Sequence, residues 1–243
     1  MIPLKRTYIK NILITGGDSR FANELKKSFF GKHIYYRNKK ELDILKIKSL
    51  ENNIRSIKPK IIIHLAGLTR PMKIHENDII SSINLNIIGT ANLVKICSKN
   101  NIKLIYFSTH FVYPCKKGNY KENDPLSPIN NYAWSKLGGE ASVQLYKNSL
   151  ILRLSMSEYP FVHKSAFVDT KSNFIYNTDV AEILPKILNI KGVLNIGGKK
   201  SSIYNFAKKS NPQVNRTKLK KNQFYPKDSS TNIEKMHKIL KKK

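Results

Sequence analysis

Carboxylates are scarce in this chain: 16 Asp and Glu stand against 44 Lys and Arg in 243 residues, a formal net charge of +28. A balance this basic favours anionic ligands. A nucleic-acid platform, however, interleaves aromatic with basic side chains, and that pattern is missing. The lysines are spread along the chain, denser only at Lys218 to Lys221 and Lys241 to Lys243. Lys, Asn and Ile are used heavily throughout, so composition accounts for the charge. We expect an anionic cofactor and an anionic substrate, weak polyanion binding as a side effect, and no specific nucleic acid. Cysteine is equally sparse. Cys97 and Cys115 have neither metal-ligand spacing nor a redox motif, which leaves no metal site and reads as reduced thiols in a cytosolic protein. No apolar run approaches the roughly 20 residues that cross a bilayer, so no membrane is expected. The chain passes almost directly from Lys5 and Arg6 into an apolar strand, without a signal peptide, and the cytoplasm is the expected location.

What is present is ordinary globular material, 40% hydrophobic and 25% charged, enough for one sizeable domain or a domain with a small appendage. Short apolar runs alternate with amphipathic segments, the pattern of a parallel sheet covered by helices. Strands are predicted over Ile9 to Thr15, His33 to Arg37, Ile61 to Ala66, Ile102 to Ser108, Leu150 to Leu154 and Val193 to Ile196. Helices are predicted over Arg20 to Phe30, Ile47 to Ile57, a long one ending near Lys99 with Ile87, Ala91 and Val94 on one face, and one opening at Tyr132. Beyond Ser155 the pattern loosens. Glu158 to Asn177 reads as loop, Thr178 to Leu188 as helix, and Ser201 or Ser202 as the cap of a helix reaching Lys209. Asn211 to Asp228 reads as a polar connection, and Thr231 to Leu240 as the last helix. No internal repeat is present.

Glycine is short where it would be most telling. The turn after the first strand runs from Thr15 to Ala22, and against a G-x-x-G-x-x-G pattern only Gly16 fits, with Ser19 and Ala22 in the other places. Ala22 still allows close helix packing, while Ser19 resists positive φ. The turn suits a dinucleotide pyrophosphate, and it also suits an ordinary strand-to-helix connection. The second strand ends at Arg37, with no acid until Glu41. A carboxylate at that place bonds a ribose 2′-hydroxyl and an arginine accommodates a 2′-phosphate. Arg37 therefore tilts the choice to NADPH, with NAD still possible, unless it is simply an exposed charge.

The most informative stretch is Phe107 to Tyr113 with Asn131 to Lys136. A strand ends on the paired hydroxyls of Ser108 and Thr109, a Pro-rich loop follows, and a helix opens with Tyr132 and Lys136 one turn apart. That arrangement suits carbonyl reduction or alcohol oxidation: a hydroxyl holds the carbonyl oxygen, a tyrosine gives or takes the proton, and a lysine keeps the tyrosine acidic enough. Spacing alone proves little, since it recurs at Tyr35/Lys39, Tyr36/Lys40, Tyr113/Lys117 and Tyr204/Lys208. Position, directly downstream of an apolar strand, singles out Tyr132.

In this order the pieces resemble the extended short-chain dehydrogenase/reductase family, and within it the dTDP-4-dehydrorhamnose reductase group. The likeness covers nearly the whole chain: Leu42 to Ile44, His64 to Gly67, Asn86 to Leu93, Ser108 and Thr109 with Phe111 to Tyr113, Tyr120, Glu122, Asp124, Pro125, Pro128 and Tyr132, Leu152 to Leu154, Val193 to Gly198, and Pro226 to Ser229. It implies an α/β, Rossmann-type doubly wound parallel sheet over 1–155. Residues 156–243 would form a reduced C-terminal substrate lobe interleaved with the last Rossmann elements. It also implies that Tyr132 donates the proton, that Lys136 depresses the tyrosine pKa and bonds the nicotinamide ribose, and that Thr109 holds the substrate oxygen, with Ser108 as a possible substitute. Gly16, Ser19 and Arg20 would lie near the pyrophosphate, Asp43 near the adenine, and Ala66 and Gly67 along the cofactor. The implied reaction is NADPH-dependent reduction of a 4-keto-6-deoxy nucleotide sugar, with a homodimer as a possible assembly. Two other readings share the scaffold: an NAD-dependent nucleotide-sugar epimerase or dehydratase, and a non-catalytic NADP-binding subunit like the regulatory subunit of methionine adenosyltransferase. No acid-base pair beside Thr109 supports a dehydratase. His110 replaces an acid common in the group, Ala133 and Trp134 replace a Gly-containing turn, and the chain after Leu154 is short for the lobe that holds the sugar. Trp134 reads equally as a stacking surface or as packing.

Overall fold

The structure, a computed structural model, describes residues 11–220 and 225–241. Six strands, β1 (Ile12–Thr15), β2 (Ile34–Arg37), β3 (Ile61–His64), β4 (Lys103–Thr109), β5 (Ser149–Leu154) and β6 (Gly192–Ile196), form one sheet. Every pairing is parallel, in the order β2-β1-β3-β4-β5-β6. Such strands are buried on both faces, so they read as continuous apolar runs and the period of 2 only sorts residues between two cores. Ile12, Ile14, Ile61, Ile63, Ile105, Phe107, Leu150 and Leu152 meet α1 (Arg20–Leu25), α5 (Asn177–Ile187) and α7 (Glu234–Lys241) on one face. Leu13, Ile62, Leu104, Tyr106 and Ile151 meet α2 (Ile47–Ile57), α3 (Ile79–Lys99) and α4 (Asn131–Gln144) on the other. This is a doubly wound α/β sheet of the Rossmann type, and its strand order reverses between β1 and β3, where such sheets open a crevice at their carboxyl ends.

Several boundaries differ from the sequence reading. The start of the first strand at Ile9 lies outside the described residues. α1 stops at Leu25 rather than Phe30. Beyond it Phe29 still bonds back to Leu25, and the Tyr36 hydroxyl of β2 donates to the Phe29 carbonyl at 2.6 Å, which ties the turn after α1 to the sheet. α3 carries a π segment over Ile83–Ile88, which apolar periodicity does not announce. At 21 residues α3 is long and apolar enough to cross a bilayer by length and composition, contrary to the sequence reading. Its buried Asn86, Thr90 and Asn92 bond inside the protein, the setting of a core helix.

The segment read as loop from Glu158 to Asn177 holds short strands instead. Ser165–Phe167 pairs with Asn215–Thr217, Lys171–Ser172 with Ser201–Ser202, and Ile175–Tyr176 with Met156–Ser157. With α6 (Ile203–Lys208) they enclose a small second core of Phe161, Ala166, Ile203, Phe206 and Val214. Met156 and Ile175 reach from this region into the sheet core.

Candidate active site

The predicted residues gather at the carboxyl edge of the sheet. Gly16 has φ +65, and a Cβ there would stand 2.7 Å from the Ala66 amide nitrogen. Gly17 needs no special φ, but its Cβ would stand 2.7 Å from the Arg37 amide nitrogen. The turn therefore threads between the ends of β2 and β3 with no room for side chains, a cradle of bare backbone. Ser19 closes it, bonding Gly16 O through its amide and capping α1 by accepting from the Ala22 amide at 3.2 Å. Thr15 Oγ1 accepts from the Ala66 amide at 3.2 Å and meets His64 Nδ1 at 2.9 Å, and Thr90 holds the other ring nitrogen. Burial pushes His64 down to about 3, with the Lys136 charge acting the same way. A neutral imidazole thus staples β1, β3 and α3 beneath the crevice.

Arg37 Nη1 bonds Glu41 Oε1 at 2.9 Å, while the Asn38 amide donates to Glu41 Oε2 at 2.9 Å. Those bonds, the backbone one first, hold Glu41 below the usual carboxylate range. Arg37 Nε is buried without a hydrogen-bond partner. The end of β2 thus carries both a cation and a carboxylate, although the sequence places them four residues apart. Asp43 turns into its own loop, accepting from the Leu45 amide at 3.0 Å. Arg20 reaches across the crevice to Glu158 at 2.8 Å, and Arg70 binds the same carboxylate at 3.1 Å.

β4 delivers the hydroxyls. Alternation sends Ser108 and Thr109 to opposite faces. Ser108 Oγ, buried, donates to Glu140 Oε2 at 2.6 Å under α4, so it does not stand in for Thr109. Thr109 caps the 3-10 turn His110–Val112, accepting from the Phe111 amide at 3.2 Å. α4 starts from the side-chain cap of Asn130 on the Ala133 amide at 2.8 Å, which sets Tyr132 and Lys136 on the face turned to β4. Burial raises the Tyr132 phenol to about 12, opposed by a hydrogen bond with Thr109 and the charge of Arg70. Burial lowers Lys136 to about 7, opposed by Glu140 one turn along the helix. The lowering influences on Tyr132 are thus Thr109 and Arg70, where the sequence reading expected Lys136.

Beneath lies a buried ion pair. Arg153 Nη2 bonds Glu140 Oε1 at 2.6 Å, and Arg153 Nη1 bonds the Tyr113 hydroxyl at 2.7 Å and the Glu122 carbonyl at 3.0 Å. His110 bonds the Ser229 hydroxyl at 3.1 Å and faces the Leu154 carbonyl, which ties the C-terminal segment to β4 and β5. Trp134 is 57% exposed, so it is not packing inside this chain.

Sequence reasoning overlooked four contributors. His75 is buried with its ring 5.1 Å from that of Tyr132. Asn86, in the π segment, bonds the Leu68 amide at 2.7 Å, the Leu68 carbonyl and Ser135, fixing the loop after β3 against α4. Arg70 and Glu158 meet only through the fold. Asn86 stands inside a segment that carried the family likeness, whereas no local pattern marks the other three.

Comparison with known proteins gives a consistent picture. Residues 10–175 match the family described as RmlD substrate binding domain. A dTDP-4-dehydrorhamnose reductase of Aggregatibacter actinomycetemcomitans is 29% identical over 178 residues, covering 71% of this chain and 60% of its own length. The methionine adenosyltransferase 2 subunit beta of Xenopus laevis is 32% identical over 114 residues, 46% of this chain and 33% of its own. The chain therefore matches less than two thirds of the length of either relative. Among solved structures, the dTDP-4-dehydrorhamnose reductase of Bacillus anthracis in complex with NADP superposes with a TM-score of 0.83 at 24% identity, over 94% of this chain and 92% of that one.

Proposed function

The chain belongs to the RmlD substrate-binding-domain family, and on that footing we propose that it reduces the keto group of a 4-keto-6-deoxy nucleotide sugar with NADPH, in the cytoplasm, for deoxysugar and surface-glycan synthesis. The observation that carries this reading is the meeting of Thr109 with Tyr132 at the end of β4, with Lys136 one turn further along α4, beside the bare-backbone crossing of Gly16 with Ala66. The turn there is bare backbone, held against the ends of β2 and β3, where a Cβ at Gly16 or Gly17 would collide with neighbouring amide nitrogens. A turn of bare backbone is what a dinucleotide pyrophosphate requires. Arg37, with an unpartnered buried Nε, suits a 2′-phosphate. Gly16, Ser19 and Arg20 would hold the pyrophosphate, Asp43 the adenine side, and Ala66 and Gly67 the length of the cofactor. The cofactor supplies a hydride when bound. Thr109 donates a hydrogen bond to the substrate oxygen and polarises the carbonyl. Tyr132 delivers its phenolic proton to that oxygen as it becomes an alkoxide, and Lys136 stabilises the phenolate left behind. Residues 156–243 supply the sugar-binding lobe around the Phe161 and Phe206 core and return the last strand and helices to the sheet. Exposed Ile79, Ile80, Ile83 and Ile88 on α3 support a homodimer.

One observation favours a second reading. Glu41 sets a carboxylate at the end of β2, the feature that suits NAD and an epimerase on this scaffold. A non-catalytic subunit, as the match to the methionine adenosyltransferase subunit suggests, has no need of all three reacting side chains. The test is NADPH consumption by the purified protein with dTDP-4-keto-6-deoxyglucose, with and without a 3,5-epimerase. Turnover that disappears in Tyr132→Phe supports the reductase, and NADPH binding with no turnover on any 4-keto sugar overturns it.

A further inference from the structure

Lys136 has an unusual place to rest. Only 6% of it is exposed, and among the described residues no side chain accepts a hydrogen bond from its Nζ. The ammonium stands instead 4.2 Å from the centroid of the Tyr106 ring. Glu140, the nearest acid on the same helix, is already engaged by Arg153 and Ser108.

Tyr106 is built for this contact. It is fully buried on β4, on the α4 side of the sheet, and its hydroxyl donates to the Lys136 carbonyl at 3.0 Å. One residue therefore grips both ends of the lysine. The His64 ring of β3 lies beside it, 5.7 Å away between centroids. Room for the hydroxyl comes from Gly139, where a Cβ would stand 2.8 Å from the Tyr106 oxygen. A cation centred over an aromatic face within about 6 Å is attracted by the ring quadrupole, most strongly where water is excluded.

We propose that Tyr106 is a positioning residue: its ring seats the Lys136 ammonium, keeping the lysine charged and in place to meet the ribose hydroxyls of the cofactor. The inference rests on the reading of Lys136 as a cofactor-binding and catalytic group. The titratable groups that act on this ammonium are Glu140 on its own helix, Tyr106 on β4, His64 on β3 and His75 on the turn before α3. Glu140 is the acid among them. Deleting the aromatic seat leaves the buried charge with less compensation, so the lysine loses its proton at lower pH.

The experiment is NADPH affinity, by nicotinamide fluorescence, from pH 6 to 9, for the wild type, Tyr106→Phe and Tyr106→Leu, each also in a Lys136→Met background. Thermal unfolding checks that every variant is folded. In Tyr106→Leu the midpoint at which affinity weakens with rising pH should drop by about one pH unit. Tyr106→Phe keeps the ring and should hold the wild-type midpoint. In the Lys136→Met background the leucine substitution should have no further effect on affinity. An unshifted midpoint in folded Tyr106→Leu, an equal shift in Tyr106→Phe, or a loss that persists without the lysine overturns the seat. A wild-type protein that binds no NADPH at any pH overturns the proposed function itself, and the seat with it.

Discussion

Replacing Glu140 by Gln removes a charge from a site closed to bulk solvent. Glu140 is 0% and Arg153 2% exposed. The guanidinium would keep only neutral partners, the Tyr113 hydroxyl at 2.7 Å and the Glu122 carbonyl at 3.0 Å. Breaking a buried pair from one side costs about 3–5 kcal/mol. The low end applies here, since the Gln oxygen still accepts from Arg153 and Ser108 can still bond the new amide. Against a total stability of about 5–15 kcal/mol, about 3 kcal/mol is a large loss. Exchanging both partners for apolar groups, Glu140→Leu with Arg153→Met, leaves no orphaned charge, so the double variant should be less destabilised than the sum of its singles by at least about 2 kcal/mol. Urea denaturation followed by circular dichroism measures this, with the wild type, Glu140→Gln, the two singles Glu140→Leu and Arg153→Met, and the double variant compared at fixed m-value. Additive effects, or a Glu140→Gln loss below about 1 kcal/mol, would refute the claim that the pair is electrostatically closed.

Other outcomes follow from the same contacts. His64 and His110 are held by burial at about 3 and about 4 against an ordinary 6.5. The unfolded chain therefore takes up protons the folded one refuses, and the stability contributed by these two neutral imidazoles is full above pH 6.5 and falls as pH drops towards 4. Each contributes a slope of about 1.4 kcal/mol per pH unit, and His110→Gln should remove that much of the total in urea titrations between pH 4.5 and 6.5. An unchanged slope would count against the assignment. Glu41→Gln frees Arg37 for a 2′-phosphate and should raise the NADPH over NADH affinity ratio about fivefold; a falling ratio would contradict the reading of the β2 end. Thr109→Val should lower kcat by about 10–100-fold, whereas Ser108→Ala should lower stability by about 1–2 kcal/mol and leave kcat near wild type. The reverse pattern would overturn their assignment to opposite faces.

The sheet was legible because its strands are apolar on both faces and its helices carry long stripes, signals that need no partner to be read. Ile61 to Ile63 announces a buried strand by itself. The site was legible where it sits at element ends: Thr109 closes β4 and Tyr132 opens α4, so connectivity alone brings them near one another. Ser108 could also have been sorted, since alternation along β4 sends it towards Glu140. The rest depends on long-range geometry. Glu158 meets Arg20 and Arg70 across sequence separations of 138 and 88, and nothing local forecasts either pair. The strands of the second lobe are only two or three residues long, too short for a period to register. Tyr106 looked like one more apolar strand residue until α4 laid Lys136 over its ring.

The central claim is that this crevice passes a hydride to a sugar carbonyl while Tyr132 protonates the oxygen. Its most direct test is mass spectrometry of the sugar product after incubation with NADPH deuterated at nicotinamide C4, one face at a time. The account predicts one deuterium at sugar C4 from one face only, and none with Tyr132→Phe. Product that carries no deuterium from either face, or labelling undiminished by Tyr132→Phe, would contradict it.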